Sequence, residues 1–214
     1  MLDCQAKLIS SHKPQATSHN LDQSKAQKFV EIALKEFADK VHGKFGTHIK
    51  GEPEDQIRSP FEIFIKAVGN ALDISVNAIG ETLLADRLGR PDYAITIDSI
   101  PSGFVELKAP EKGALAEKFK GHDKEQWERF RALPNILYTD GIEWALYRTG
   151  ELTRSATLAG NPCILASKAV GKDDAVAILA IITDFLNWQP IVPTTAKQLA
   201  FYLAPLCRML KNDV

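Results

Sequence analysis

The most constraining stretch of this sequence is RPDYAITIDSIPSGFVELKAP, running from Arg90 to Pro110. Two segments rich in β-branched and aromatic residues flank a short break, the pattern of a β-hairpin. The Pro-Ser-Gly run places the turn near Ile100–Ser102. Strand alternation then sets Phe104, Glu106 and Lys108 on one face of the second strand, with Val105 and Leu107 on the other. Antiparallel pairing about that turn puts Asp92 roughly opposite Lys108. An otherwise hydrophobic hairpin is thus expected to gather two acids and a lysine at one end.

The surrounding pattern gives this hairpin its context. Residues 1–20 are polar and mixed and read as a flexible lead-in. From Leu21 onward, Phe29, Ile32, Ala33, Phe37 and Val41 keep a helical spacing. A second helix is expected to start at Ser59, because Ser59-Pro60-Phe61-Glu62 combines a capping serine, proline at the first helical position and glutamate three residues after the cap. Strands follow over ISVNAIGETLL, PDYAITI and FVELKA, then a helix over HDKEQWERFRAL. NILYTDG and IEWALYRTGE supply two more strands around a turn at Thr139–Gly141. This order predicts an α/β fold with a mixed central sheet flanked by helices. Residues 152–171 give weak signals, and helices are expected near Asp173–Trp188 and Thr195–Leu210. The chain accordingly divides into a core over 21–151 and a helical extension over 152–214 packed on it.

Composition narrows the function only a little. Lys plus Arg number 26 against 27 Asp plus Glu, so any nucleic-acid contact has to come from a local basic cluster. Lys112, Lys118, Lys120, Lys124, Arg129 and Arg131 form one just after the hairpin. The cysteines Cys4, Cys163 and Cys207 follow no metal-binding spacing, and their odd number suggests a reducing compartment. The longest apolar run, AVAILAIITDFL, is broken by Asp184 and too short for a bilayer. A cytoplasmic protein with no membrane partner is expected.

The hairpin charges admit two readings. Paired carboxylates in an apolar setting repel unless a cation lies between them, and Mg²⁺ favours a couple of carboxylates completed by water and phosphate oxygens. Alternatively, Lys108 simply forms an ion pair with Glu106 or Asp92. Pro91-Asp92 followed by Glu106-Leu107-Lys108 on the neighbouring strand resembles the PD-(D/E)xK nuclease core. Arg90-Pro91-Asp92, Val105-Glu106-Leu107-Lys108, Gln126 and Tyr138-Thr139-Asp140-Gly141 are similar to the nuclease modules of type I restriction subunits. They also resemble the amino-terminal modules of proteins that join such a nuclease to an N6-adenine methyltransferase, and this likeness spans most of residues 50–214.

The resemblance implies a restriction-endonuclease-like core and a Mg²⁺-dependent DNA endonuclease of a restriction–modification system, with Mn²⁺ able to substitute. It implies that Asp92 and Glu106 hold the metal together with the Leu107 carbonyl, and that Lys108 acts on the nucleophile. Lys112, Lys118, Lys120 and Lys124 then face DNA, and a fused or associated N6-adenine methyltransferase is the implied partner. No Asn/Asp-Pro-Pro-Tyr/Phe methyltransferase signature occurs in the chain, which reads as a nuclease domain by itself. The alternative is an inactive DNA-binding or interaction module of the same fold. Related nucleases often carry a helix-side acid, for which Glu62 is the candidate, although it also suits the capping box with Ser59. Glu54, Asp55 and Glu81 are further candidates. Gln126 matches a Gln-xxx-Tyr pattern of restriction nucleases whose tyrosine is here Phe130, and it equally fits a capping box with Asp123.

Overall fold

The computed structural model describes residues 23–47, 51–81, 84 and 89–189. The helix expected near Thr195–Leu210 lies outside the described residues. Helix α1 (Gln23–Phe45) and helix α2 (Pro53–Ala71) precede three strands, β1 (Val76–Gly80), β2 (Tyr93–Ile97) and β3 (Ile100–Leu107). A loop with a 3₁₀ turn at Ala116–Lys118 leads to helix α3 (Gly121–Phe130), then strands β4 (Ile136–Thr139), β5 (Glu143–Arg148) and β6 (Glu151–Thr157). A short helix α4 (Pro162–Leu165), a 3₁₀ turn and helix α5 (Lys172–Leu186) follow. The six strands lie side by side in chain order. Every neighbouring pair is antiparallel except β3 and β4, which run parallel across the α3 crossover. The mixed, helix-flanked α/β sheet anticipated from the sequence is what the chain forms.

Two helices differ from expectation. On α1 the buried face is Ala26, Val30, Ala33, Leu34, Phe37, Ala38 and Val41, whereas Phe29 and Ile32 are 48% and 56% exposed. Three alanines on that face let α2 and the 3₁₀ turn at Ala166–Ala169 approach closely, so small residues, not the bulkiest stripe, select the packed side. Helix α2 begins at Pro53, not Ser59, with Glu54 and Asp55 in its first turn. Proline at the first position and acids beside the positive end of the helix dipole make that earlier start the better terminus. Pro60 therefore lies inside the helix, and Ser59 caps nothing.

The hairpin turns two residues earlier than expected. Asp98 and Ser99 adopt φ of 48° and 69°, the two left-handed residues of a tight hairpin turn. Ile100 and Pro101 already belong to β3, and the register slips by one between Ile95 and Thr96. Beyond the slip Tyr93 faces Val105, so the register continued outward sets Asp92 beside Glu106, not Lys108. Gly103 is required: a Cβ there would come within 2.6 Å of both the Asn135 amide and the Phe185 ring. That amide donates to the carbonyls of Ser102 and Phe185, both at 2.9 Å, fastening α5 to the sheet.

Strand β6 is the element that sequence patterning leaves unread. All but one of its residues are exposed, so no alternation marks it. On one face of the sheet Val105, Leu107, Leu137, Trp144 and Leu146 meet apolar residues of α1, α2 and α5. On the other, Ile136, Tyr138, Ala145 and Tyr147 meet Phe119, Trp127 and Phe130 from the crossover. Among the described residues, no helix is long and apolar enough to cross a membrane.

Candidate active site

The charged end of the hairpin lies where the two faces meet. Alternation along β3 sends Val105 and Leu107 into the larger core, which leaves Glu106 and Lys108 on the α3 side. Both are nearly sealed from solvent, at 3% and 2% exposure. The Lys108 ammonium donates to Glu106 Oε1 at 3.2 Å and to Gln126 Oε1, and it pairs with Asp123 at 3.1 Å. Gln126 thus reaches the site from α3. The capping box with Asp123 is not formed: α3 starts at Gly121, and the Asp123 carboxylate is turned to Lys108 and Lys112. Phe130, in the position of the expected tyrosine, is buried in the smaller core.

Asp92 stands at the mouth of the same cluster. Its Oδ2 accepts the Leu107 N–H at 2.7 Å, and its Oδ1 accepts from the guanidinium of Arg58 on α2. Arg58 also donates from Nε to Asp55 at 2.9 Å and lies over the Tyr93 ring, 5.8 Å from its centroid. Glu62 accepts the Tyr93 hydroxyl at 2.9 Å. Glu54 accepts the Ala109 N–H at 3.3 Å, one residue beyond Lys108. Glu54, Arg58 and Glu62 are spaced four apart, one polar stripe of α2 directed at this end of the sheet. Among the described residues, Glu81 lends its backbone N–H to the Asp92 carbonyl at 2.9 Å, and its side chain is exposed.

The electrostatics follow from burial. Loss of water, reinforced by the charge of Asp92, pushes the Glu106 carboxyl up to about 8 despite the neighbouring lysine. Asp92 is also raised, chiefly by burial, against the pull of the Leu107 N–H and Arg58. Burial works against the Lys108 charge, yet Glu106 and Asp123 together hold its proton more tightly than usual. Partial burial works against the Asp123 charge, but Lys108 and Lys112 together overcome it and lower the carboxyl. Glu106 Oε2 is buried and has no hydrogen-bond partner among the described residues. Such an oxygen is costly to leave alone and marks a place for a cation or a proton.

The basic residues after the hairpin are spread over the crossover. Lys112 pairs with Asp123 at 3.4 Å and Lys118 with Glu143 at 2.7 Å. Lys120, Lys124 and His122 are exposed. The loop that carries them is pinned from beneath by two acids. Asp140 accepts the Gly113 N–H at 2.8 Å, and Glu143 accepts those of Ala114 and Leu115 at 2.7 and 3.1 Å. Patterning overlooked Arg58 and gave Asp123 only a capping role. An α2 begun at Pro53 would have shown Arg58 on the polar stripe between Glu54 and Glu62.

No family model matches this chain, and no curated protein matches it. A solved structure does: a DrdV–DNA complex determined by cryo-EM superposes with a TM-score of 0.54 at 16% identity. The match covers 75% of this chain and 99% of that one. At that identity, what the two chains share is the fold.

Proposed function

We propose that this chain is a Mg²⁺-dependent DNA endonuclease domain of the restriction type, hydrolysing phosphodiester bonds in partnership with an N6-adenine methyltransferase. The observation that carries the reading is the buried Glu106 Oε2, which has no hydrogen-bond partner among the described residues, beside Asp92 and next to a sealed lysine. A fold shared with a protein solved on DNA supports it, as does the Pro91-Asp92…Glu106-Leu107-Lys108 pattern.

The residues present suit Mg²⁺. Among the described residues no three His, Cys, Asp or Glu side chains converge, which argues against an all-protein cage. Mg²⁺ asks for less, typically one or two carboxylates completed by water and substrate phosphate. Asp92 and Glu106 would hold it, with the Leu107 carbonyl as a further oxygen. When bound, such an ion supplies a water of lowered pKa and Lewis-acid polarisation of the phosphodiester. The chain's own contribution is positional. Lys108, fixed by Glu106, Gln126 and Asp123 in its charged form, orients the attacking water and neutralises charge growing on phosphorus. Glu62, through the Tyr93 hydroxyl, steadies the strand end that carries Asp92. Lys120 and Lys124, exposed on the crossover, are the first choices for DNA phosphates, with Lys112 and Lys118 beside them.

One observation favours a second reading: Arg58 already balances Asp92, and Lys108 already balances Glu106. An ion-pair network of this kind is what an inactive DNA-binding module would keep. Plasmid nicking in Mg²⁺ or Mn²⁺, with calorimetric metal binding alongside, separates the two. Lys108→Ala is expected to lose cleavage by on the order of a hundredfold or more while keeping its fold and binding metal. Asp92→Ala and Glu106→Ala should lose metal binding. Wild-type cleavage by Lys108→Ala would refute the mechanism, and DNA binding without cleavage in either metal would establish the inactive module.

A further inference from the structure

The two candidate metal-holding acids are not equivalent. Glu106 keeps an oxygen without a partner among the described residues, whereas both oxygens of Asp92 are engaged. One of these bonds comes from the backbone N–H of Leu107 and is part of the fold. The other comes from a side chain that carries a full positive charge. Arg58 is also held from outside, by Asp55, whose side chain is 58% exposed, and by the face of the Tyr93 ring. The guanidinium therefore has one anchor in the site and another at the surface. It can leave the first without losing the second.

We infer that Arg58 is the resting counter-ion of Asp92, an internal cation that a divalent metal must displace, and that the displaced guanidinium then takes up a phosphodiester oxygen of DNA. This rests on the nuclease reading of the site. Two cations cannot share one carboxylate oxygen in a poorly hydrated pocket without strong mutual repulsion, so Arg58 and the metal compete for Asp92. A guanidinium suits the second task, because its planar fork matches phosphate oxygens and remains charged throughout. Metal and DNA are then coupled through one side chain. Whichever draws Arg58 away from Asp92 helps the other to bind, and the assistance is equal in both directions. Metal alone, with no phosphate to receive the arginine, binds only in competition with the guanidinium and therefore weakly.

The test is calorimetric titration of the DNA-free protein with Mn²⁺ for wild type, Arg58→Gln, Arg58→Lys and Glu106→Ala. Arg58→Gln should bind Mn²⁺ on the order of tenfold more tightly than wild type, the scale of a typical coupling between two ligands. Arg58→Lys, charged but without the fork that spans Asp55 and Asp92, should fall between them. It carries the test alone if Arg58→Gln fails to fold by thermal melting. Glu106→Ala should not bind. In a second arm, a phosphorothioate duplex followed by fluorescence anisotropy should bind Arg58→Gln several-fold more weakly than wild type in Mn²⁺. Equal or weaker Mn²⁺ binding by both Arg58 variants, with wild-type binding still abolished by Glu106→Ala, overturns the counter-ion role and leaves the metal site standing. Absence of Mn²⁺ binding by wild type and by both Arg58 variants overturns both.

Discussion

The two faces of the sheet are built on different principles. One is a broad apolar core in which α1, α2 and α5 cover the strands, centred on Trp144 with Phe37, Phe61 and Phe64 around it at ring separations of 5.8, 6.3 and 5.4 Å. The other is narrower. Its ring cluster of Phe119, Trp127, Tyr138 and Tyr147 is covered by a ten-residue helix and a loop held by buried carboxylates. Stability is concentrated on the first face and ionic chemistry on the second. The candidate site sits at their seam, with Arg58 reaching it from the apolar side and Lys108, Asp123 and Gln126 gathered on the other. An arrangement of this kind lets charged, poorly satisfied groups persist because a large core elsewhere tolerates their cost.

That contrast is open to attack. The largest effect should come from Trp144→Ala, which removes a fully buried ring from the first face. It should cost ~3–5 kcal/mol in urea unfolding, and a smaller loss would mean that the core is less central than described. A more modest effect, about 1–3 kcal/mol, should follow Glu143→Ala, which strands the N–H groups of Ala114 and Leu115. Hydrogen exchange should show those amides opening while α2 keeps its protection. Equal loss of protection on both faces would contradict their independence.

The smallest effect concerns pH. The folded-state pKa of Glu106 is raised to about 8 from an ordinary 4.5, so between these values the native state holds a proton that the unfolded chain gives up. Stability from this group therefore falls as pH rises through that interval. Glu143 has the opposite sign: its pKa is lowered, through Lys118 and the loop amides once its burial is overcome, and its contribution is lost as pH falls. Glu106→Gln should flatten the decline between about pH 5 and 8 and raise the Tm at pH 8 by a few degrees. A steeper decline in the variant would show that Glu106 is ionised and content in the native state.

Much of this architecture was legible because long periodic segments dominate it. Strands β2 to β5 and helix α5 carry enough regular apolar spacing to be read without tertiary context. The failures are local and physical. In the hairpin, Pro101-Ser102-Gly103 looks more like a turn than Asp98-Ser99, which adopts left-handed backbone without a glycine to signal it. Strand β6 is solvated along most of its length and shows no period. Two prolines each suit a helix start, and a helix begun at Pro60 instead of Pro53 leaves out the first turn of the stripe containing Arg58. Asp92, Glu106 and Lys108 stand out because charge is unusual at the end of an apolar hairpin, whereas Gln126 enters only through the resemblance to restriction nucleases. Arg58 escapes a reading by pattern, and Asp123 reads only as a cap, because charged residues on helices are ordinary until their partners are known.

The parallel pairing of β3 with β4 has a consequence for how the protein comes into being. Glu106 and Lys108 lie on or beside β3, while Asp123 and Gln126 lie on the crossover that must close before β4 can dock. The β1–β2–β3 meander joins near neighbours in the chain and can form early. The parallel pair brings together segments separated by the whole crossover, a slower step because the entropy of closing the loop is lost before any contact repays it. Lys108 acquires Asp123 and Gln126 as partners only at that step. In a chain emerging from the ribosome, the hairpin charges therefore gather first and their partners from α3 join when β4 docks, so assembly of the cluster is ordered by topology.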